Sequence, residues 1–229
     1  ELAEVLSREV LLDSPVIIRS HGGRVRAIES GELKIDVAFL AAPCADKYGN
    51  LNGVNGPTAC GSLGYAFPDA EYANCVVAVT DTLVEYPAVP ISIPQTQVDY
   101  VVTVDEVGDP QGIMSGVTRI TRDPLELLIA EKAAHVIEAS GLFVDGFSFQ
   151  AGAGGSSLAV ARFLREKMEK AGMRGGFATG GITGYIADML GDGFFQTILD
   201  VQCFDLAAVE SLRTNPRHME MSASFYANP

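Results

Sequence analysis

The stretch Gly146-Phe-Ser-Phe-Gln150-Ala-Gly152-Ala-Gly154-Gly155-Ser156-Ser157-Leu158 decides the fold. A short run rich in aromatics enters a glycine turn, and the turn opens a helix expected from about Ser157 to Ala171. On that helix Leu158, Ala161, Leu164, Met168 and Ala171 recur at helical spacing and form the inner face. One helix later the pattern returns: Ala178-Thr179-Gly180-Gly181-Ile182-Thr183-Gly184 closes the strand Gly176–Thr179 and opens another helix. Strand, glycine turn and helix in alternation predict an α/β fold with a largely parallel sheet. Both turns then lie at the carboxyl ends of neighbouring strands, where such sheets bind ligands.

Outward from this unit, further strands are expected at Pro15–Arg19, Ile35–Ala41, Cys75–Thr80, Tyr100–Val104 and Phe195–Val201. Several are continuous apolar runs, as in strands covered on both faces. Residues 1–12 read as a helix. Asp123-Pro124-Leu125-Glu126 opens another, with Asp123 as cap, Pro124 at the first position and Glu126 completing a capping box. Its apolar stripe is Leu125, Leu128, Ile129, Ala133, Val136 and Ile137, and Gly141 ends it. His135 beside that stripe reads as a partly buried structural histidine. The segment from Ala42 to Pro68, rich in Gly and Asn, is long enough to be functional or packed against a partner. A change of pace near residue 142 divides the chain into 1–141 and 142–229, two parts expected to pack together.

Composition narrows the chemistry. Sixteen Lys and Arg against 29 Asp and Glu leave a net charge of −13 over 229 residues. That field repels nucleic acid and anionic membrane surfaces, so a basic nucleic-acid binder is excluded. Cys44, Cys60, Cys75 and Cys203 show no metal or disulfide spacing, and His21, His135 and His218 lie far apart, so no metal site is expected. No apolar run could form a membrane helix, and the cytoplasm is the expected compartment.

Three readings of Gly152–Ser157 remain open on the residues alone. A dinucleotide fingerprint is weak, because Ser157 stands where the last glycine belongs and no acidic residue follows at the right distance. A tight structural turn is the second. The third is a cradle of main-chain N–H groups for a thioester or phosphate, which the paired turns favour. No nucleophile is evident: Cys60-Gly61-Ser62-Leu63-Gly64 lacks the first glycine of a nucleophile elbow, and Glu85 and Glu106 read equally well as solvated carboxylates. Candidate cations for an anionic substrate are Arg24, Arg26, Arg119 and Arg122. The group Arg162, Arg165, Lys167, Lys170 and Arg174 reads either as a solvated helix face paired with Glu166 and Glu169 or as a patch for an acidic carrier protein.

Along nearly the whole chain the sequence resembles the citrate lyase alpha subunit family, relatives of the family I coenzyme A transferases. The resembling stretches are Ser20–Arg26, Ile35–Leu40, Pro43–Gly49, Cys60–Tyr65, Gln97–Asp99, Gln150–Val160, Gly180–Ile182, Leu199–Gln202 and Asn215–Asn228. Members are about twice this length, so the chain reads as an internal piece of two tandem open α/β domains: 1–141 the end of the first, 142–229 the start of the second. The resemblance implies exchange of acetate for citrate on an acyl-carrier-protein thioester. The partners it implies are the lyase beta subunit and the carrier protein (gamma) subunit. The carrier's coenzyme A-like arm is substrate, and no tightly bound cofactor is expected.

On the same resemblance Gly152, Gly154, Gly155, Ser156 and Gly181 bind the thioester arm, and Gly154, Gly155 and Gly180 carry the chemistry. Related transferases place a catalytic glutamate in a His-Thr-Glu context, and aligning Ala178-Thr179 with His-Thr sets Gly180 at its position. Citrate's own carboxylate then becomes the expected nucleophile, through a mixed anhydride. Two alternatives stand beside this: a transferase or hydrolase acting on free coenzyme A esters, and a non-catalytic scaffold.

Overall fold

The computed structural model describes residues 17–113, 118–152 and 154–226. The helix expected over residues 1–12, and Pro15 of the first expected strand, lie outside them. Ile17–Arg19 form no strand. They lead into α1 (His21–Glu29), which Ser20 caps by accepting from the Gly23 N–H. β1 (Val37–Ala41) begins a three-stranded parallel sheet. β2 (Cys44–Asp46) and β3 (Leu51–Asn52) follow at once, so the expected long loop begins as a buried hairpin. Its keystone is Asp46, fully buried, whose carboxylate accepts from the Tyr48, Asn50 and Ala88 N–H groups and from Asn50 Nδ2. Burial pushes the Asp46 pKa up, but these hydrogen bonds outweigh it and hold the group below its ordinary value.

After α2 (Phe67–Tyr72), β4 (Cys75–Thr80) pairs in parallel with β1; beyond β5 (Leu83–Val84), β6 (Tyr100–Thr103) pairs with β4 on its other side. The apolar runs here do not mean burial on both faces. In β1 the burial alternates, with Ala38 and Leu40 inside while Val37 and Phe39 face outward, Phe39 at 72% exposure. Among the described residues, core covers one side only.

α3 (Pro124–Ala139) is capped by Asp123, which accepts from the Leu125 and Glu126 N–H groups. Glu126 does not close a capping box; it accepts instead from Ser156 Oγ at 2.9 Å. The face that packs on the next helix is that of Ala130 and Ala134, because small residues let two helix backbones approach. The expected stripe is therefore largely exposed at Leu125, Leu128, Ile129 and Val136. His135 is likewise exposed, beside Lys167 and Glu138.

β7 (Ser148–Ala151), α4 (Gly155–Ala171), β8 (Gly175–Ile182), α5 (Gly184–Gly191), β9 (Phe195–Cys203), α6 (Leu206–Thr214) and β10 (His218–Glu220) form three consecutive βαβ units, followed by the short α7 (Ala223–Tyr226). Their strands make one all-parallel sheet in the order β10-β9-β8-β7. α4 starts two residues earlier than expected and buries Leu158, Ala159, Ala161, Leu164 and Met168, while Ala171 is exposed. Gly180 and Gly181 belong to β8 itself, and Gly184 opens α5.

The two all-parallel sheets are joined by the stretch Cys60–Tyr65, which lies directly against β9. Ser62 Oγ donates to the Asp200 carbonyl at 2.8 Å, and the Leu63 N–H donates to Glu220 Oε1 at 2.9 Å. Glu220 also accepts from Ser92 Oγ; burial raises its pKa, partly offset by these two donors. A Cβ at Gly64 would stand 2.5 Å from the Met221 carbonyl oxygen and 2.6 Å from that of Val201. Neither backbone group can rotate away, so Gly64→Ala should destabilise the fold by about 3 kcal/mol, the upper end for overpacking. Denaturant unfolding checks this; a loss within 0.5 kcal/mol, the ordinary surface range of about ±0.5 kcal/mol, would show that the seam yields.

Candidate functional site

At the carboxyl ends of β7, β8 and β9 a cleft of about 310 Å³ opens between the sheet and the joining stretch. Its floor follows from strand register. Ala151, Gly180 and Asp200 stand in line across the three strands; one step further Gly181 pairs with Gln202, leaving Val201 as the extra residue of a bulge. Bulges re-aim side chains at sheet rims, and here Val201 and Gln202 line the cleft beside Gln150, Ala151, Gly152, Gly181 and Phe204. From the other side come His21, Tyr65 and Tyr226, with His21 and Tyr65 ring centroids 5.1 Å apart. Gln150 Nε2 donates to Tyr226 Oη at 2.6 Å across the opening. Burial raises the Tyr65 pKa, with neighbouring Tyr226 adding to it.

Gly180 has φ +104°, and a Cβ there would lie 3.3 Å from Gln150 Cγ and 3.4 Å from Tyr226 Cε2. Gly181 is held bare by Phe204, whose ring atoms would be 1.9 Å from a Cβ. Among the described residues no acidic side chain lines the cleft.

Of the expected site residues, the structure brings Gly152 and Gly181 to the cleft, with Gly180 behind Gln150 and Tyr226. Gly154 caps α4 at φ +123°, with open space where a side chain would project. Gly155 and Ser156 turn elsewhere: the Gly155 carbonyl accepts from the Thr121 N–H, and Ser156 bonds Glu126. Arg24 is consumed by Asp69, to which its Nη2 donates at 2.6 and 2.8 Å. The α4 cations disperse, Arg165 to Asp192 and Lys167 to Glu138, while Arg162 comes only within 3.8 Å of Glu166.

His21, Tyr65, Gln202, Phe204 and Tyr226 were not singled out as site residues by sequence reasoning. A signal existed for four of them, because His21, Tyr65, Gln202 and Tyr226 sit in separate stretches that carry the family resemblance, while Phe204 lies just beyond one. Their convergence at one opening is what the fold adds.

The family model for citrate lyase, alpha subunit (CitF), matches residues 1–229. The chain belongs to the citrate lyase alpha subunit family. It is 58% identical over 228 residues to the citrate lyase alpha chain of Haemophilus influenzae, covering 100% of this chain and 45% of that protein. To the Klebsiella pneumoniae citrate lyase alpha chain it is 56% identical over 219 residues, 96% of this chain and 43% of the relative. The chain thus spans less than half the length of the curated relatives it matches. A Streptococcus mutans citrate lyase alpha subunit, solved in complex with citrate, superposes with a TM-score of 0.90 at 57% identity, over 94% of this chain and 42% of that one. A 4-hydroxybutyrate CoA-transferase from Porphyromonas gingivalis superposes with a TM-score of 0.61 at 18% identity, over 97% of this chain and 54% of that one; this shares the fold alone.

The cysteines bear on mechanism too. Burial pushes the Cys60 thiol up to about 11, and Cys44 and Cys203 are raised by burial as well, Cys203 further by Asp200, to which its thiol donates at 2.9 Å. Raised thiols hold little reactive thiolate near neutrality. Iodoacetamide at pH 7.5 should therefore leave Cys44, Cys60 and Cys203 unlabelled in the folded protein and label all four cysteines in denaturant. Rapid native labelling at Cys60 or Cys203, read by mass spectrometry, would contradict the burial argument.

Proposed function

We propose that this chain supplies the thioester-exchange site of a citrate lyase alpha subunit: acetyl carrier protein and citrate give citryl carrier protein and acetate. The observation that carries the reading is the cleft at the β7–β9 carboxyl ends, bordered by glycines and lacking an acidic side chain among the described residues. The thioester carbonyl occupies the Gly152 and Gly181 side, where main-chain groups can approach a developing oxyanion without an intervening side chain. Gly154, Gly155 and Ser156 hold the turn and its helix in place behind it.

Gly180 supports direct attack by the acid. A carboxylate of citrate attacks the acetyl carbonyl, the carrier thiolate leaves, and an acetyl–citryl anhydride forms. The same thiolate then attacks the citryl carbonyl and acetate departs. Atoms and charge balance without an enzyme-bound acyl group, so the protein's contribution is orientation and charge stabilisation. The division near residue 142 belongs to this reading, with one parallel sheet before it and one after it. So do the beta subunit, the carrier protein and the cytoplasmic setting; among the described residues no helix is long and apolar enough to cross a membrane.

In the full-length subunit, initial rates should show a sequential pattern, both substrates bound together, and not ping-pong exchange. Gly180→Glu should lower kcat about 100-fold, as misplaced reacting groups do, because φ +104° and the crowding by Gln150 and Tyr226 exclude a side chain. A glutamyl thioester trapped by hydroxylamine or borohydride would overturn the direct-attack route.

A further inference from the structure

The chain is strongly acidic, and its described arginines mostly meet local partners: Arg19 with Glu32, Arg24 with Asp69, Arg165 with Asp192, Arg213 with Glu210, and Arg217 with the Leu190 carbonyl. Three of the remaining arginines meet at one place. Arg119, Arg122 and Arg162, with Ile120 and Thr121 between them, line a cavity of about 720 Å³. Among the described residues no carboxylate lines it. Among the described residues Arg162 Nε is buried without a hydrogen-bond partner, and Glu166 Oε1, its ion-pair acid, stands 3.8 Å away, beyond hydrogen-bond reach. The Arg162 guanidinium carbon stands 4.5 Å from the Phe163 ring centroid, which helps to fix its position. Arg119 and Arg122 show no ion pair among the described residues and sit on a segment anchored by the Thr121 N–H to the Gly155 carbonyl at 3.2 Å.

Three like charges around one cavity repel one another, and a buried guanidinium nitrogen left unpaired is destabilising. An oxyanion relieves both costs, because guanidinium forks match phosphate and carboxylate oxygens bidentately. We propose that this cavity binds a multiply charged oxyanion, a phosphate ester or a polycarboxylate, through Arg119, Arg122 and Arg162. It shares no lining residue with the cleft at Gln150 and Tyr226. It rests on the backbone hydrogen bond to Gly155 for its position, not on the exchange reaction.

The test is calorimetric titration of the full-length chain with inorganic pyrophosphate and, separately, with citrate. Saturable binding of at least one is expected. Arg119→Ala/Arg122→Ala, an exposed pair whose loss should not affect folding, weakens it about tenfold or more, as loss of charged hydrogen bonds does. Arg162→Gln should do the same. Arg165→Ala, on the same helix but paired with Asp192, should leave it unchanged. Stronger binding of pyrophosphate assigns a phosphate ligand, and stronger binding of citrate a polycarboxylate. Absence of saturable binding, or an equal loss with Arg165→Ala, overturns the proposal. Either result leaves the exchange reading standing, since its kinetics are measured independently.

Discussion

The cleft exists because Cys60–Tyr65 can lie against β9 with bare backbone at two places. A Cβ at Gly61 would stand 2.2 Å from Cys203 Sγ, and one at Gly64 would press on the Val201 and Met221 carbonyl groups. With both absent, Ser62 and Leu63 can reach Asp200 and Glu220, and the Ala223 N–H donates to the Gly64 carbonyl at 2.9 Å. That last bond sets α7, and with it Tyr226, over the carboxyl ends of the strands. Tyr65 follows in the chain and brings its ring against His21. Each wall of the cleft thus depends on one close approach of two backbones.

Electrostatics reinforces the seam from within. Asp200 and His218 are buried at 0% and 3% exposure, and Asp200 Oδ2 receives both the Cys203 thiol and His218 Nε2, at 2.9 and 3.2 Å. Ser211 Oγ stands 3.0 Å from His218 Nδ1. Buried polar groups satisfied in this way fix a unique arrangement, since any slip would strand one of them. The carboxylates that could have served chemistry are thereby occupied in structure. What is left at the opening is amide, imidazole, phenol and glycine, a set suited to orienting a thioester and an incoming acid.

Much of this was legible in the sequence where one element decides its own conformation. The strands at Cys75–Thr80 and Phe195–Val201 and the helix after Gly154 appear nearly at their expected places, because β-branched runs and glycine turns act locally. The stripe on α3 failed for a tertiary reason: periodicity marks the large aliphatic residues, but Ala130 and Ala134 allow the closer packing. Glu126 found Ser156 in place of its own helix start, a contact 30 positions away that no local rule contains. The glycines at the cleft were visible as a motif, whereas His21, Tyr65 and Tyr226 come from three separate segments and meet only through the seam at Gly61 and Gly64. Fold class depends on local pattern, and the site depends on where distant backbones can touch.

The position of the reacting carbonyl decides whether the β7–β9 cleft is the exchange site. A crystal structure of the full-length subunit with a non-hydrolysable acetyl thioether analogue of the carrier arm would locate it. The acetyl carbonyl is expected in the cleft between Gly152 and Gly181, beside Gln150 and Tyr226, with no enzyme carboxylate in contact. An acetyl group bound away from the β7–β9 carboxyl ends, or seated against an aspartate or glutamate of the subunit, would contradict that placement.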